Sequence, residues 1–434
     1  MCLPPRTIIK SIRKLGPGES LLWKSNSART WKHWSIPDVE HRHFSAADVR
    51  CRALELIKTA IKRRLIADVP VGAFLSGGLD SSLLVALASE HSRGLHTFSI
   101  GYTEADFNEL PYARLISNRY GTNHHEFVIE ARAEKLIEDV IGAIDEPIAD
   151  SSAIPTYLIA RETKRYVKVA LSGIGGDEMF FGYPRYLGAK LSEAVPSVLR
   201  RPLADLSGVW RSQPKGRDVA GWIGRFGKGL QLRPESRYVM WTTFLDPSTR
   251  WGLLHDVSAG NDPEPNMLNA FGSGAGSFLD RIFRYDVSRY LGFDLLPLCD
   301  NMTMAHSVEA RVPFCDVDLV EEMARMPAAV RLPGYRLKGV LRDVARSYLP
   351  VEILNRRKQG FMIPIGRWFR HDLRDYVESQ LAANSLPEMM DSHGVRKLWN
   401  AHLEGRVNAT HVLWAIVLFS AWIRKVREKK AVMR

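Results

Sequence analysis

The chain has 434 residues, 45% hydrophobic and 25% charged, which is enough to bury a large core and excludes a disordered, collagen-like or disulfide-rich protein. Four scattered cysteines (Cys2, Cys51, Cys299, Cys315) form no Cys-x-x-Cys pair, so neither a zinc site nor a redox dithiol is expected and a reducing cytoplasm fits. The net charge is +12, yet the basic runs Lys62-Arg63-Arg64, Arg200-Arg201 and Arg356-Arg357-Lys358 are short and lack interleaved stacking aromatics, which argues against a nucleic-acid partner.

Residues 1–45 read as turn-rich and strand-like, with a turn at Gly16-Pro17-Gly18 and an extended run at Leu21-Leu22-Trp23; residues 1–10 carry no signal-peptide pattern. A helix opens near Ser45 and carries Val49, Ala53, Leu54, Leu56 and Ile57 on its apolar positions. Strands and helices then alternate: a strand over 69–75, helix 81–90, strand 95–100, helix 108–120, strand 125–129, helices 134–144 and 153–163, and a strand over 167–171. Alternation of this kind predicts an α/β fold, a parallel sheet with helices on both faces. Beyond about Tyr186 the texture is helical, with Pro- and Gly-rich turns. The organisation expected is a remnant segment 1–45, an α/β core 46–190, a variable helical insertion 191–285 and a helical region 286–434. Gly272-Ser273-Gly274-Ala275-Gly276 reads as a loop, since no strand precedes it as a dinucleotide fingerprint requires, and no internal repeat is found. The apolar run 412–423 is shorter than the roughly 20 residues a bilayer needs, so a buried helix is expected there, and a membrane is not expected as a partner.

The most informative segment is Ser76-Gly77-Gly78-Leu79-Asp80-Ser81-Ser82, set between a strand and a helix. Gly77 and Gly78 permit close backbone approach to an anion, Ser76, Ser81 and Ser82 add hydroxyl donors, and the helix N-terminus adds free N–H groups. Asp80 beside phosphates is repulsive unless a cation intervenes, which predicts magnesium. The Gly-Lys-Ser/Thr ending of a Walker A loop is absent.

Three further segments carry a resemblance: Leu171-Ser172-Gly173-Ile174-Gly175-Gly176-Asp177-Glu178 with Phe180-Phe181-Gly182-Tyr183; the run from Met302 to Asp316, including Glu309-Ala310-Arg311-Val312-Pro313-Phe314; and Leu337-Lys338-Gly339-Val340-Leu341-Arg342 continuing to Arg357-Lys358-Gln359-Gly360-Phe361. With the first loop, these resemble the asparagine synthetase B family, whose synthetase domain belongs to the PP-loop ATP pyrophosphatases. The resemblance implies a sheet of the five-stranded parallel type and an ATP- and Mg2+-dependent enzyme that activates a carboxylate as acyl-AMP for attack by ammonia or an amine. It implies that Ser76, Gly77, Gly78, Asp80 and Ser81 hold pyrophosphate, that Leu75, Ser99 and Gly173 border the adenosine, that Ser82 and Ser172 belong to the same nucleotide site, that Asp80 and Asp177 bind metal, and that Lys338 stabilises transition-state charge. Asp294 and Glu309 would lie near the acid, although Glu309 and Arg311 read equally well as an internal ion pair. His306 reads as a structural helix residue, and the tryptophans from Trp368 to Trp422 as core.

Two departures stand out. The family's N-terminal glutaminase domain is represented only by its closing strands, near Pro5 to Glu19, so Cys2 reads as incidental and a truncated or mis-started chain stays open. Nitrogen would come from free ammonia, an amine, or a separate glutaminase subunit; a homodimer is left open. Ile174 stands where asparagine synthetases carry an acid and β-lactam synthetases a tyrosine, while Asn301 and Thr303 replace the usual arginine and serine. These keep open an intramolecular cyclase of the β-lactam synthetase or lasso-peptide cyclase type, a nucleotide-binding pseudoenzyme partner, and a tRNA-modifying enzyme.

Overall fold

In a computed structural model of the chain, all residues are described except 1, 41, 103, 105–107, 130–132, 208–218, 246, 256–262, 273–275, 357–362 and 433–434. An antiparallel hairpin comes first, β1 (Glu19–Lys24) and β2 (Ser27–Lys32), turned by Ser25 and Asn26 at φ 50° and 58°. Positive φ at both central residues matches the hairpin's turn to the right-handed twist of its strands. Helix α1 (Ala46–Arg64) starts on Ser45, whose hydroxyl accepts from the Asp48 amide at 3.1 Å, and ends on Lys62, Arg63 and Arg64, a basic last turn that suits the helix dipole.

The α/β core follows as β3 (Val71–Phe74), α2 (Leu79–Ser89), β4 (His96–Tyr102), α3 (Leu110–Tyr120), β5 (Asn123–Ile129), α4 (Ala133–Gly142), α5 (Ala153–Thr163), β6 (Val169–Leu171) and α6 (Gly176–Met179). The sheet is parallel throughout, in the order β5-β4-β3-β6-β7. Strand β7 (Glu309–Arg311) was not read from the sequence, where four strands are visible. It is three residues long and adds to β6 in the register Leu171↔Arg311, too short for any periodicity to show.

Two apolar clusters cover the sheet. One joins α1, α2 and α3 to helices of the C-terminal half through residues such as Ile57, Leu84, Ile116, Phe283 and Leu341. The other joins β4, α4 and α5 to the last helix (Thr410–Val432) through Phe98, Ile137, Ile154, Trp414 and Val417. Helix α2 is buried without a break from Ser81 to Ala88, so its sequence shows no polar stripe. The apolar run 412–423 lies in that last helix, mostly buried, and among the described residues no helix is long and apolar enough to cross a membrane. Trp368, Trp399 and Trp414 are fully buried and Trp422 nearly so, as core residues. His306 is not helical: it sits in the turn after the helix Leu296–Met304, edge-on to Tyr157 at 4.3 Å. A π-helix, Asp286–Leu295, runs into that helix.

Strand order reverses about β3: β4 and β5 are laid down on one side, β6 and β7 on the other. The C-terminal ends of β3 and β6 therefore open a crevice at a topological switch point, the position at which open parallel sheets take ligands.

Candidate active site

Both glycine loops rise into this crevice. The first leaves β3 at Leu75, whose amide still donates to Phe98 O at 2.8 Å, while Ser99 Oγ donates to Leu75 O from within the sheet. Gly77 has φ +66°, and a Cβ there would meet Tyr112 Cβ at 2.5 Å and Ala113 N at 2.7 Å, so the turn presses on the start of α3. No other residue type fits that combination of left-handed backbone and contact. Ser81 Oγ closes the loop on the helix, accepting from the Ser76 amide at 3.2 Å and pairing with Ser76 Oγ at 3.0 Å. The result is a concave turn leading into the N-terminus of α2, suited to an anion.

The second loop, Ser172 to Gly175, leaves β6 and leads into α6. It lies directly over the first: a Cβ on Gly176 would meet Asp80 Oδ1 at 2.7 Å, and one on Gly173 would meet Ser81 N at 3.3 Å. Gly175 has φ +96° and leaves room for Cys315 Sγ. The absence of side chains here brings Asp80 and Asp177 together. Lys338 completes the arrangement. It stands at φ 54° immediately before the short helix Gly339–Ala345, its amide donating to Phe181 O at 3.3 Å. Its ammonium donates to Asp80 Oδ2 and pairs with Asp177 Oδ1 at 2.8 Å. Burial pulls the lysine pKa down, but the charges and hydrogen bonds of Asp177 and Asp80 outweigh it and hold the ammonium above its ordinary range. Gly182 adjoins both partners, since a Cβ there would overlap Asp177 Oδ1 and Lys338 Cε.

Behind this triad lies an acidic and aromatic layer. Glu178 is fully buried; burial first, then the charge of Asp177, pushes its carboxyl up to about 7 against the hydrogen bond donated by Tyr183 Oη at 2.6 Å. Arg185 lies over the rings of Tyr183 (4.0 Å) and Tyr290 (4.9 Å) and pairs with Asp286 at 2.9 Å. Asp286 Oδ2 also accepts from Tyr186 and Tyr238, each at 2.6 Å. Asp294, on the same π-helix, is raised by burial and then by the charge of Asp150, and both aspartates act on Tyr290 together with Glu178. Ile174 packs on the apolar core, and its carbonyl accepts from Cys315 Sγ at 3.7 Å.

The structure thus gathers Leu75, Ser76, Gly77, Gly78, Asp80, Ser81, Ser99, Ser172, Gly173, Asp177 and Lys338 at one crevice, with Asp294 in the layer behind. Ser82 differs: its hydroxyl is buried inside α2 without a hydrogen bond. Glu309 is not brought to the crevice. It pairs with Val169 at the start of β6, two residues before the end that carries the loop, and is ion-paired to Arg311 at 2.8 Å; the ion pair expected from the sequence forms, but on the exposed sheet edge rather than inside the protein. Arg311 also donates to the carbonyls of Arg64 and Ile66, tying α1 to the sheet edge. Arg356 was read only as part of a basic run; it donates to Ser76 O at 3.1 Å, pairs with Glu109 and lies over Tyr112 at 4.1 Å. No local pattern marks it, because 280 residues separate it from Ser76. The segment Arg357-Lys358-Gln359-Gly360-Phe361 lies outside the described residues.

Magnesium takes one or two carboxylates and fills its remaining positions with water and phosphate oxygens. Asp80 and Asp177, converging on one ammonium, fit that requirement. Among the described residues no three His, Cys, Asp or Glu gather as a metal site, so a metal here would draw its other ligands from nucleotide and water.

Two glycine loops at the switch point of a parallel sheet, two carboxylates and one buried lysine define a synthetase-type α/β domain of the PP-loop class. The chain belongs to the asparagine synthase family, whose model matches residues 52–424. It is similar to asparagine synthetase [glutamine-hydrolyzing] 1 of Bacillus subtilis, 28% identical over 96% of this chain and 66% of that protein. A putative asparagine synthetase [glutamine-hydrolyzing] of Mycobacterium tuberculosis is 29% identical over 85% of this chain and 56% of the relative. A Penicillium rubens protein named amidase chyE is 27% identical over 84% and 60%. The chain thus spans between 56% and 66% of the length of these three relatives.

Proposed function

We propose that this chain is an ATP-dependent ligase that activates a carboxylate as acyl-AMP, releases pyrophosphate and forms an amide with ammonia or an amine. The observation that carries the reading is the single ammonium of Lys338 held between Asp80 and Asp177 at the mouth of the Ser76–Ser81 turn.

The chemistry follows from the parts. A substrate carboxylate oxygen attacks the α-phosphorus, and the bond from that phosphorus to the bridging oxygen breaks, with the electron pair leaving on pyrophosphate. The first loop and the N-terminus of α2 cradle the departing group, and Lys338, kept protonated by its two carboxylate neighbours, stabilises the charge that develops there. A magnesium ion on Asp80 and Asp177 would screen phosphate from carboxylate. The nitrogen nucleophile then attacks the acyl carbon, gives up a proton and expels AMP. Gly173 and the Asp294 layer border the space for the acid, and the fixed loops supply positioning.

Ile174 favours a second reading of the substrate. By the resemblance position 174 would border the reacting acid, and an apolar side chain there neither accepts a proton nor holds an ammonium, so an acid and amine other than the aspartate and ammonia pair, including two groups of one molecule in an intramolecular cyclisation, suit this chain better. The test is AMP and pyrophosphate formation from ATP and magnesium across a panel of carboxylic acids, with and without ammonia and amines. Acid-dependent pyrophosphate release that Lys338→Ala abolishes is expected; no release with any acid would leave a nucleotide-binding partner protein as the better reading.

A further inference from the structure

Two helices of the insertion are turned inside out. In the first, Ser197–Ser207, the residues that face the body of the protein are Ala204 and Ser207, the only buried ones. Its apolar residues point to solvent: Val198 is 78% exposed, Leu206 66%, and Leu199 and Leu203 are also exposed. At about 100° per residue, Val198, Pro202, Leu206, Leu199 and Leu203 fall on one arc of about 140°, a continuous outward stripe. The second helix, Val219–Leu230, repeats the inversion. Gly221, Gly224, Gly227 and Gly229 are buried, and Gly227 has no room for a side chain against Ser207, whereas Trp222 is 60% exposed with Ile223 exposed beside it. Gly227 lets the two helices pack closely at Ser207, and Trp222 and Ile223 are left outside, while Leu230 is buried and Phe226 stacks on Trp241. Surface helices of a globular protein show the opposite arrangement, and a contiguous outward apolar patch marks an interaction site.

The charge around the patch selects its occupant. On the described parts of the two helices stand Arg200, Arg201, Arg225 and Lys228 against a single acid, Asp205. A groove of about 660 Å3 beside the stripe is lined by Arg200, Arg201 and Arg233, three cations against the one carboxylate of Asp205. Two copies of such a face would set four cations and one acid against the same set and repel each other. Outward Leu and Trp flanked by arginines form the pattern of helices that lie in the plane of a lipid interface, apolar side chains among the acyl chains and cations at the headgroups. We propose that this helical pair binds an anionic lipid surface peripherally, with the Arg200–Arg201–Arg233 groove taking headgroup phosphate. Such binding needs no spanning helix, and it departs from the expectation drawn from the sequence that no membrane is engaged.

The test is co-flotation of the full chain with vesicles of phosphatidylcholine alone and of equal parts phosphatidylcholine and phosphatidylglycerol. Wild type should float with the anionic vesicles at least about tenfold more than with the neutral ones, less so in high salt. The double variant Leu206→Asp/Trp222→Asp should lose that binding, and Arg201→Glu/Arg233→Glu should lose it through charge alone; all four side chains are exposed, and unchanged thermal unfolding verifies the fold. No flotation on anionic vesicles, equal flotation on neutral ones, or flotation undiminished in both variants would overturn the proposal. So would a dimer in solution that Leu206→Asp/Trp222→Asp converts to monomer without any vesicle binding, which would assign the face to a second copy.

Discussion

Lys338 holds apart two carboxylates that would otherwise face each other in a buried site. Replacing it with alanine should lower the rate of pyrophosphate release by about 10²- to 10³-fold or more, the scale for removing a preorganised charge-stabilising donor. The same variant leaves Asp80 and Asp177 without their shared cation. It should therefore melt earlier than wild type near neutral pH, and added magnesium alone should restore more of its Tm than it adds to wild type. Glu178 makes a separate prediction. Its folded pKa, about 7, lies above the ordinary carboxyl value, so the folded state holds its proton more tightly than the unfolded one. Its contribution to stability is thus complete below about pH 4.5 and is lost as pH rises towards and past 7. Glu178→Gln keeps an acceptor for Tyr183 without ionising. It should flatten urea-midpoint profiles over that window and be the more stable protein at pH 8, by on the order of 3 kcal/mol.

Among the elements, the glycine loops decide where the charges meet. Gly182 lies so close to Asp177 and Lys338 that Gly182→Ala must displace one of them. Activity with ATP and acid should collapse, whereas binding of a nucleotide analogue to the first loop, measured by calorimetry, should weaken far less. Gly77→Ala should do the reverse and strike nucleotide binding first, since the methyl meets Tyr112 and the backbone is left-handed. The loop motifs are visible in the sequence because each is contiguous and flanked by its own strand and helix. Strand β7 is not visible, because a three-residue strand is defined only by the neighbour it pairs with. The role of Arg356 is not legible in the sequence for the same reason: its partners Ser76, Glu109 and Tyr112 lie far away along the chain.

Taken as a whole molecule, the α/β core depends on the last helix to close one face. Trp414 is fully buried there among Phe369 and its neighbours. Trp414→Ala should cost about 3–5 kcal/mol, read as a lower denaturation midpoint, while leaving the crevice chemistry intact in the molecules that fold. What the sequence by itself determined is the local chemistry: two glycine-bordered acidic loops, a lysine near a helix start, alternating strands and helices, and hence the family. What only the tertiary structure decided is how these segments meet. Lys338 is 258 residues from Asp80, and only the packing of its helix against α1 and α2 brings the ammonium between the two carboxylates. The same packing carries Glu309 away from the crevice, and folding alone determines that the apolar stripe of Ser197–Ser207 faces solvent, because a periodic pattern states which residues share a face but not which way that face is turned.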